Sequence, residues 1–556
     1  MPSRAASASR PRWRLGLAAV VTATLSVTLL PSSQVAATAP AHRTAASAAA
    51  PAAAPAAVEA APRTLGFAVQ LGPEQRLLGP TGEGDNPYFS ERRGGRLFGY
   101  FGTSRTREWR TNNNTRLTNS RVILDRGARG RFDDCGAWMA GSFQKLTASH
   151  WIAFYHAEGS PDRGDDVCDH YANTTVWRMG MAQTFNGGRT WRRADKPVVL
   201  TGVNATATTG VTNAGNGRAV RVGDYYYIFF ETAHGTRPGP AGVHIARALV
   251  RDNGMPGAWN KYYCHPATLL TPAYCAFDEP GIGGRSSPIG GLSEKARHVA
   301  WNSTLDRWLG FDASGKRGFR LYASEVGTGD TVEARQHSAL FDDAGLPKKW
   351  LNWTDVYPLV STATDRFVDQ WGGDIRNRRS KQLYAYPSLV GADGDSMITG
   401  SSFHVYYMKL FPGEKFTHRY LFRRKVTVVP NSTALNRVEL TTYRNGTGQR
   451  RSSTEAPKEK AFRRTGPTGY LLAHGADGWR QVFDCVRRDD HALFVTQCRT
   501  GWSRVRRVGF IHPEQTADAS VPVYRCVAKR SHYASTSPDC GGGKRETRLG
   551  YALRSL

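Results

Sequence analysis

One unit returns five times between Leu65 and about Pro430, and it limits the possible folds more than any other feature. Each copy opens with an apolar strand rich in Tyr, Phe or Trp: RLFGYFG (Arg96–Gly102), HWIAFYHAE (His150–Glu158), YYYIFFET (Tyr225–Thr232), RWLGFDA (Arg307–Ala313) and QLYAYPSL (Gln382–Leu389). In the last four copies a second strand follows (WRMGMAQT, VHIARALV, RLYASEV and FHVYYMKL), while RVILD weakly marks the first. Gly, Asn, Asp and Pro turns separate these runs, and no long helical period interrupts them. A β-sandwich also has many short strands, but an ordered return of the same strand pair is the mark of a radial repeat. The expected fold is all-β: a five-bladed β-propeller over residues 65–430, with the five opening strands as the second strands of successive blades.

After Pro430 the period changes. Tyr443, Phe483 and Tyr524 stand 40 and 41 residues apart, and Gly469-Tyr470, Gly509-Phe510 and Gly550-Tyr551 follow at the same intervals. Three short β-rich repeats of this length predict a three-repeat, β-trefoil-like module over residues 431–556, a linear array being the other arrangement open to them. The eight cysteines fall in close pairs, Cys135 with Cys168, Cys264 with Cys275, Cys485 with Cys498 and Cys526 with Cys540. No CxxC or HExxH spacing suggests metal ligands, so disulfides formed in an oxidising compartment are expected.

The N-terminus agrees with export. Arg4, Arg10, Arg12 and Arg14 precede an apolar run from Leu15 to Leu30, and Ala37-Thr38-Ala39 offers a small-x-small cleavage site. Residues 1–39 therefore read as a signal peptide, and residues 40–64, dominated by Ala, Pro, Ser and Thr, as a disordered linker. No later stretch approaches the length of a membrane span. A secreted, extracellular monomer is expected. The net charge of +28 (74 Lys and Arg minus 46 Asp and Glu) suits an acidic glycan as partner. The Arg residues are scattered without a Lys/Arg run, so a specific nucleic-acid partner is not expected, and Arg-rich composition with no charged partner is the plainer reading.

GDNPYFSERRGGRLFGYFG is similar to the first blade of secreted five-bladed proteins related to arabinanases, xylosidases and fructosidases. GAWNKYY, DEPGIGGRSSPIGG and HVAWNSTLDRWLGFDA resemble bacterial members of the same group. QTFNGGRTWRR, with Thr184, Asn186, Gly188, Thr190 and Trp191 in register, resembles the Asp-box turn of sialidases with Asn in place of Asp. Sialidases are six-bladed and repeat this turn; here it occurs once and reads as a structural hairpin. The last two repeats resemble the short His-containing repeats appended to secreted bacterial hydrolases, but the Gln-x-Trp element of ricin-type lectins is absent.

The resemblance implies glycoside hydrolysis by carboxylates in the propeller funnel, with an Asp base in the first blade, a supporting Asp and a Glu acid. Asp85 in GEGDNPYF matches the first-blade Asp. Asp134 in RFDDCGAW opens the inner strand of the second blade, with Trp138 further along the same face, while Asp133 faces the other way. The inner strands GNGRAVRV and HVAWN carry no acid, so the acid falls to Glu279 in FDEPGIGGRSSP, on a loop entering the fourth blade. There Arg285 is placed to bind an acidic sugar. Glu158 and Glu231 end apolar strands near the rim, and Trp371 and Asp374 in DQWGGDI offer a stacking platform and a further funnel carboxylate. These six, Trp138, Glu158, Glu231, Arg285, Trp371 and Asp374, are the expected substrate-binding residues. No cofactor loop is present, since GTGDTVEA and GIGG lack a strand-to-helix context. A structural Ca²⁺ in the funnel is the one ion the resemblance implies, although no EF-hand loop occurs. The expected function is secreted glycan processing by a glycoside hydrolase. The alternative is a non-catalytic glycan-binding or cell-surface interaction protein.

Overall fold

The computed structural model describes residues 66–555, apart from residues 140, 142, 160–167, 169–175, 200–213, 233–241, 269–270, 293–297, 315–317, 354–382, 412–413, 415–417, 431–435, 460, 474 and 477. Trp371 and Asp374 lie outside the described residues. Pro62–Leu556 form one compact unit.

A long strand β1 (Phe67–Thr81) precedes four separate antiparallel sheets. The first sheet is β2 (Phe89–Arg93), β3 (Arg96–Phe101), β4 (Thr106–Thr111) and β5 (Leu117–Leu124). The second comprises β6 (Gly136–Met139), β7 (Gln144–Lys145), β8 (Trp151–Gly159), β9 (Val176–Thr184) and β10 (Arg192–Arg193). The third runs β11 (Gly215–Val222), β12 (Tyr225–Glu231), β13 (Val243–Leu249), β14 (Asn260–His265) and β15 (Tyr274–Pro280) in that order. The fourth is β16 (Val299–Asn302), β17 (Arg307–Ser314), β18 (Gly318–Ala323) and, after helix α1 (Val332–Leu340), β19 (Leu351–Trp353). Next come β20 (Leu383–Gly391), β21 (Ile398–Thr399), which pairs in parallel outside β16, β22 (Ser402–Leu410) and β23 (Arg419–Pro430). Strands β20-β22-β23-β1 begin a thirteen-stranded sheet that continues into the C-terminal residues. The four separate sheets are arranged as in a propeller.

The aromatic runs fold this way because both faces of each strand are buried. Along β12, Tyr226, Ile228 and Phe230 pack with Ile152, Phe154 and Met179 of the second sheet. The alternate residues Tyr227 and Phe229 pack with Trp301, Trp308 and Tyr322 of the fourth. Equivalent seams join the first sheet to the second through Tyr100, Met139 and Tyr155. Phe311, Val405, Phe422 and Val69 join the fourth to the strands around β22. Tyr88, Phe101, Tyr386 and Tyr406 join those strands back to the first sheet. Each fully buried side chain of this size contributes roughly 1.5–3 kcal/mol.

Of the five opening strands, β3, β8 and β12 stand second in their sheets, and β17 follows β16, outside which β21 is added. QLYAYPSL supplies β20, the first described strand of its sheet; residues 354–382 ahead of it lie outside the described residues, and β1 pairs with β23 at the other side. In the first sheet the follow-on strand is β4, and RVILD contributes to β5 instead. The Asp-box-like segment is a hairpin turn between β9 and β10. Asn186 Oδ1 accepts the backbone N–H groups of Arg189 (3.1 Å) and Thr190 (3.0 Å), and Gly188, at φ +82°, allows the chain to reverse.

The C-terminal residues form three copies of a three-stranded unit: β24 (Arg437–Arg444), β25 (Arg450–Ser453) and β26 (Arg463–Leu472); β27 (Arg480–Arg487), β28 (Asp490–Val495) and β29 (Ser503–Ile511); β30 (Ala519–Ala528), β31 (Ser531–Ser535) and β32 (Lys544–Leu553). In each unit the first strand pairs with both others. Its register slips at two equivalent places, first after Leu440↔Gly469, Val482↔Gly509 and Val523↔Gly550, and again two residues on, after Thr442, Asp484 and Arg525. Val438, Leu471, Val482, Val508, Val523 and Leu549, drawn from all three units, share one core. Tyr443 and Phe483 are buried as their spacing suggests, whereas Tyr524 is half-buried. The four cysteine pairs read from the sequence are the four disulfides.

These units are joined to the strands before them through buried charges. Lys409 Nζ on β22 lies 2.8 Å from Glu74 of β1 and 2.7 Å from Glu455, which follows β25, and all three side chains are fully buried. Arg506 of β29 reaches Glu455 (2.6 Å), and Tyr407 and Tyr384 donate to Glu74 and Glu455. Strand β1 also pairs in parallel with β24 (Gln70↔Arg437).

Candidate functional site at the start of the first strands

In an antiparallel meander the start of one strand and the end of the next share an edge. Gly136, opening β6, faces Glu158, near the end of β8, and Gly215, opening β11, faces Glu231, at the end of β12. Asp85 lies at the matching place ahead of β2, its N–H donating to Gly102 O at 2.8 Å. Three of the expected site residues therefore share one end of the sheets, without being adjacent in sequence.

Two different carboxylate settings result. At the seam between the first sheet and the thirteen-stranded sheet, Asp85 Oδ1 accepts the Tyr386 hydroxyl (2.8 Å) and lies 3.2 Å from Arg419. Tyr386 adopts φ +54° beside a register slip in β20, a conformation costly for a bulky residue and one that aims its ring.

At the seam between the second and third sheets the site is drier. The backbone N–H of Asn216 donates to His156 Nδ1 (3.0 Å), which leaves the imidazole proton on Nε2, directed at Glu158 Oε1 3.1 Å away. Asn216 Nδ2 donates to Glu231 Oε1 at 2.7 Å. The Trp138 ring stacks on His156 (5.2 Å, 24°) and Trp177 meets it edge-on. A side chain at position 215 would strike His156, so Gly215 is what permits the close approach. Asn216, like Tyr386, is held at positive φ (+52°) beside a register slip. Glu158 and Glu231 are almost entirely buried.

Asp134 is close by in the chain, since Cys135 N–H donates to Glu158 O (2.9 Å), but its own Oδ2 accepts Gly130 N–H (2.9 Å) within the preceding turn. Asp133 is fully buried between the Tyr155 hydroxyl (2.8 Å) and Arg193 (3.0 Å). Burial raises its pKa despite these partners. Glu279 requires a correction. It is on β15, four strands from β11 and on the order of 19 Å across the sheet at 4.8 Å per strand. The β14–β15 hairpin, closed by Cys264–Cys275, carries it to the outer edge, where it binds Arg285 through Nε (2.8 Å), Nη2 (2.7 Å) and the backbone N–H. Arg285, also over the Tyr263 ring, is thereby engaged away from the shared end. Among the described residues the one group of three metal-type side chains is Asp134, Cys135 and Cys168, and its two sulfurs form a disulfide. That group offers no oxygen cage for Ca²⁺.

No protein-family model matches the chain, and no curated protein matches it. Among solved structures it is similar to Zg3597, a family 117 glycoside hydrolase of the marine bacterium Zobellia galactanivorans, at 8% identity and a TM-score of 0.35 over 65% of this chain and 90% of that one. It is also similar to an α-L-arabinanase of Cellvibrio cellulosa (11%, TM-score 0.32, 68% and 96%). A third is the α-L-arabinofuranosidase arb93a of Fusarium graminearum (11%, TM-score 0.31, 65% and 98%). Likeness of this size transfers no chemistry.

Sequence reasoning missed Asn216, Tyr386 and Arg419. It sought an acid on every first strand, whereas Glu231 comes from a second strand and is held by the Asn that occupies the first. An Asn between two Gly at the head of an apolar strand was the available signal.

Proposed function

We propose that the protein is a secreted glycan-processing enzyme, a glycoside hydrolase acting at the shared end of its sheets. In this reading β20-β22-β23-β1 is the fifth blade of a propeller and the three C-terminal units are a β-trefoil. The closed circuit of packing seams supports the first assignment, and the thrice-repeated register slip supports the second. The disulfides support an extracellular setting. Among the described residues no helix is long and apolar enough to cross a membrane.

The observation that carries the reaction is the contrast between the carboxylates. Asp85 faces a guanidinium and a phenol and is suited to accept a proton from water or to attack. Glu231, fully buried in a dry seam with Asn216 Nδ2 at one oxygen, is suited to carry the proton delivered to the leaving oxygen. Trp138 and His156 would wall the sugar site, with Glu158 fixing the imidazole and Asp134 bracing the turn that leads into β6. The complete burial of Glu231 favours a second reading, a glycan-binding protein without turnover.

Assay on a panel of neutral and acidic aryl glycosides separates the two. Hydrolysis should fall roughly 10²–10⁴-fold in both Asp85→Asn and Glu231→Gln. Full activity in either variant removes that residue from the reaction. Absence of turnover, with saturable glycan binding that survives Glu231→Gln, favours the binding protein.

A further inference from the structure

A second feature lies at the opposite end of the first two sheets, where β2 turns into β3. The face of the first sheet that packs on the second is set by alternation. Phe89, Glu91 and Arg93 on β2, Arg96, Phe98 and Tyr100 on β3, and Glu108 and Arg110 on β4 all project from it. Near the middle this face is apolar, with Phe89 and Tyr100 against Phe143. Toward the turn it becomes arginine, and the sheets part around an open cleft of about 920 Å³. Six arginines line it: Arg92, Arg93, Arg96, Arg110, Arg121 and Arg189. The single lining carboxylate is Glu108, which leaves a local charge of +5 (six minus one).

Glu108 is already committed. Arg93 binds it through both terminal nitrogens (2.6 and 2.9 Å) and Arg121 through Nε (2.8 Å). Arg96, Arg110 and Arg189 are exposed and form no ion pair among the described residues. Because Phe98 stands opposite Arg110, Arg96 is the diagonal neighbour of Arg110 on the same face, with side chains rooted roughly 7–8 Å apart. Two like charges so placed repel unless an anion is shared between them. The far wall is the Asp-box-like turn, which contributes Asn186, Gly187 and Arg189. Beneath lie Phe98 and Trp151, both buried, with Arg93 over the Phe98 ring at 4.2 Å and Lys145 over Trp151 at 5.0 Å. Among the described residues that line the cleft, no aromatic face is therefore open for a nucleobase, which single-stranded nucleic acid would need for stacking. The volume is near the top of the usual range for ligand sites, about 300–1,000 Å³, and exceeds what a single small ion requires.

We propose that this cleft is a binding site for an acidic polysaccharide, recognised through sulfate or carboxylate groups by Arg96, Arg110 and Arg189. The inference does not rest on hydrolysis at the other end of the sheets, which its test leaves untouched.

The test is titration of the full chain with a heparin oligosaccharide, a polygalacturonate oligosaccharide and a single-stranded DNA oligonucleotide of matched charge, at several salt concentrations. Arg96→Ser/Arg110→Ser should weaken glycan binding at least tenfold and flatten its salt dependence, since each lost contact releases fewer counterions. Arg463→Ser/Arg499→Ser, which removes two exposed arginines of the C-terminal units, should change little. Preference for heparin or for polygalacturonate identifies sulfate or carboxylate as the recognised group. Equal losses in both double variants, or an unchanged affinity in the cleft variant, overturns the proposal, as does tighter binding of the oligonucleotide than of either glycan. Unchanged thermal unfolding in both variants shows that the loss reflects the cleft and not the fold.

Discussion

Replacing Lys409 by Met would test whether the C-terminal units are fastened by charge. Lys409 Nζ sits 2.8 Å from Glu74 and 2.7 Å from Glu455, and none of the three side chains is exposed. Removing the cation leaves two carboxylates in a dry junction, where Tyr407, Tyr384, Arg506, the Ala456 N–H and the buried Arg424 remain around them. Breaking a buried pair in this way typically costs about 3–5 kcal/mol, against 0–1 kcal/mol for an exposed one. Met nearly matches the Lys stem in volume, so little of the loss should come from packing. Equilibrium urea unfolding of the wild type, Lys409→Met and the triple variant Lys409→Met/Glu74→Gln/Glu455→Gln gives the comparison. The single variant should lose about 3–5 kcal/mol, and the triple should lose at least as much, because it leaves the buried Arg424 and Arg506 without Glu74 and Glu455. The loss should persist at 1 M salt, where the Debye length is about 3 Å and exposed pairs are screened. A loss under about 1 kcal/mol, or one abolished by salt, would show that water reaches the junction and refute the reasoning.

Two further predictions concern pH. Burial alone would raise the Asp484 carboxyl, but Arg451, His491 and Arg506 outweigh it and hold the group well below the usual carboxylate range. Its folded pKa is depressed, so its contribution is complete above the unfolded value near 4 and disappears as pH falls; Asp484→Asn should remove that part of the acid sensitivity in unfolding scans. Lys261 shows the opposite effect. Burial lowers its pKa to about 7, with Glu279 opposing, so between about pH 7 and 10 the unfolded chain binds more protons. Stability should therefore rise with pH by up to about 1.4 kcal/mol per unit, and Lys261→Met should flatten that rise.

The legible parts of this chain are those where neighbours along the sequence are neighbours in space. The runs that became β3, β8, β12 and β17 were readable because both faces of each are buried, leaving an aromatic and β-branched signature with few polar interruptions. Cysteine pairs 11 to 14 residues apart were readable because each closes a local loop. The pairing of β1 with β23, more than 300 residues away, was not readable for the opposite reason, because no local pattern records it. Glu279 was misplaced because a fifth strand extends the third sheet outward, and a loop between blades looks the same in sequence as an extra hairpin. Asp85, Glu158 and Glu231 were each visible as acids at strand ends. Their grouping depended on which ends coincide, and Asn216 and Tyr386 became visible only once their positive φ angles were known.

Strand β1 also dictates an order of events. It lies near the start of the chain, yet its partners β23 and β24 are among the later strands, paired through Phe67↔Pro430 and Gln70↔Arg437. As the polypeptide emerges N-terminus first, this strand must wait with unpaired edges while more than 330 residues follow it. Contacts of such long range form slowly, and an edge strand left open in the meantime invites association with other chains. The circuit of sheets can therefore close only after β23 has emerged, and β24, which follows it, then fastens the C-terminal units to the same strand. Folding of the sheets should stay incomplete until β23 has been made.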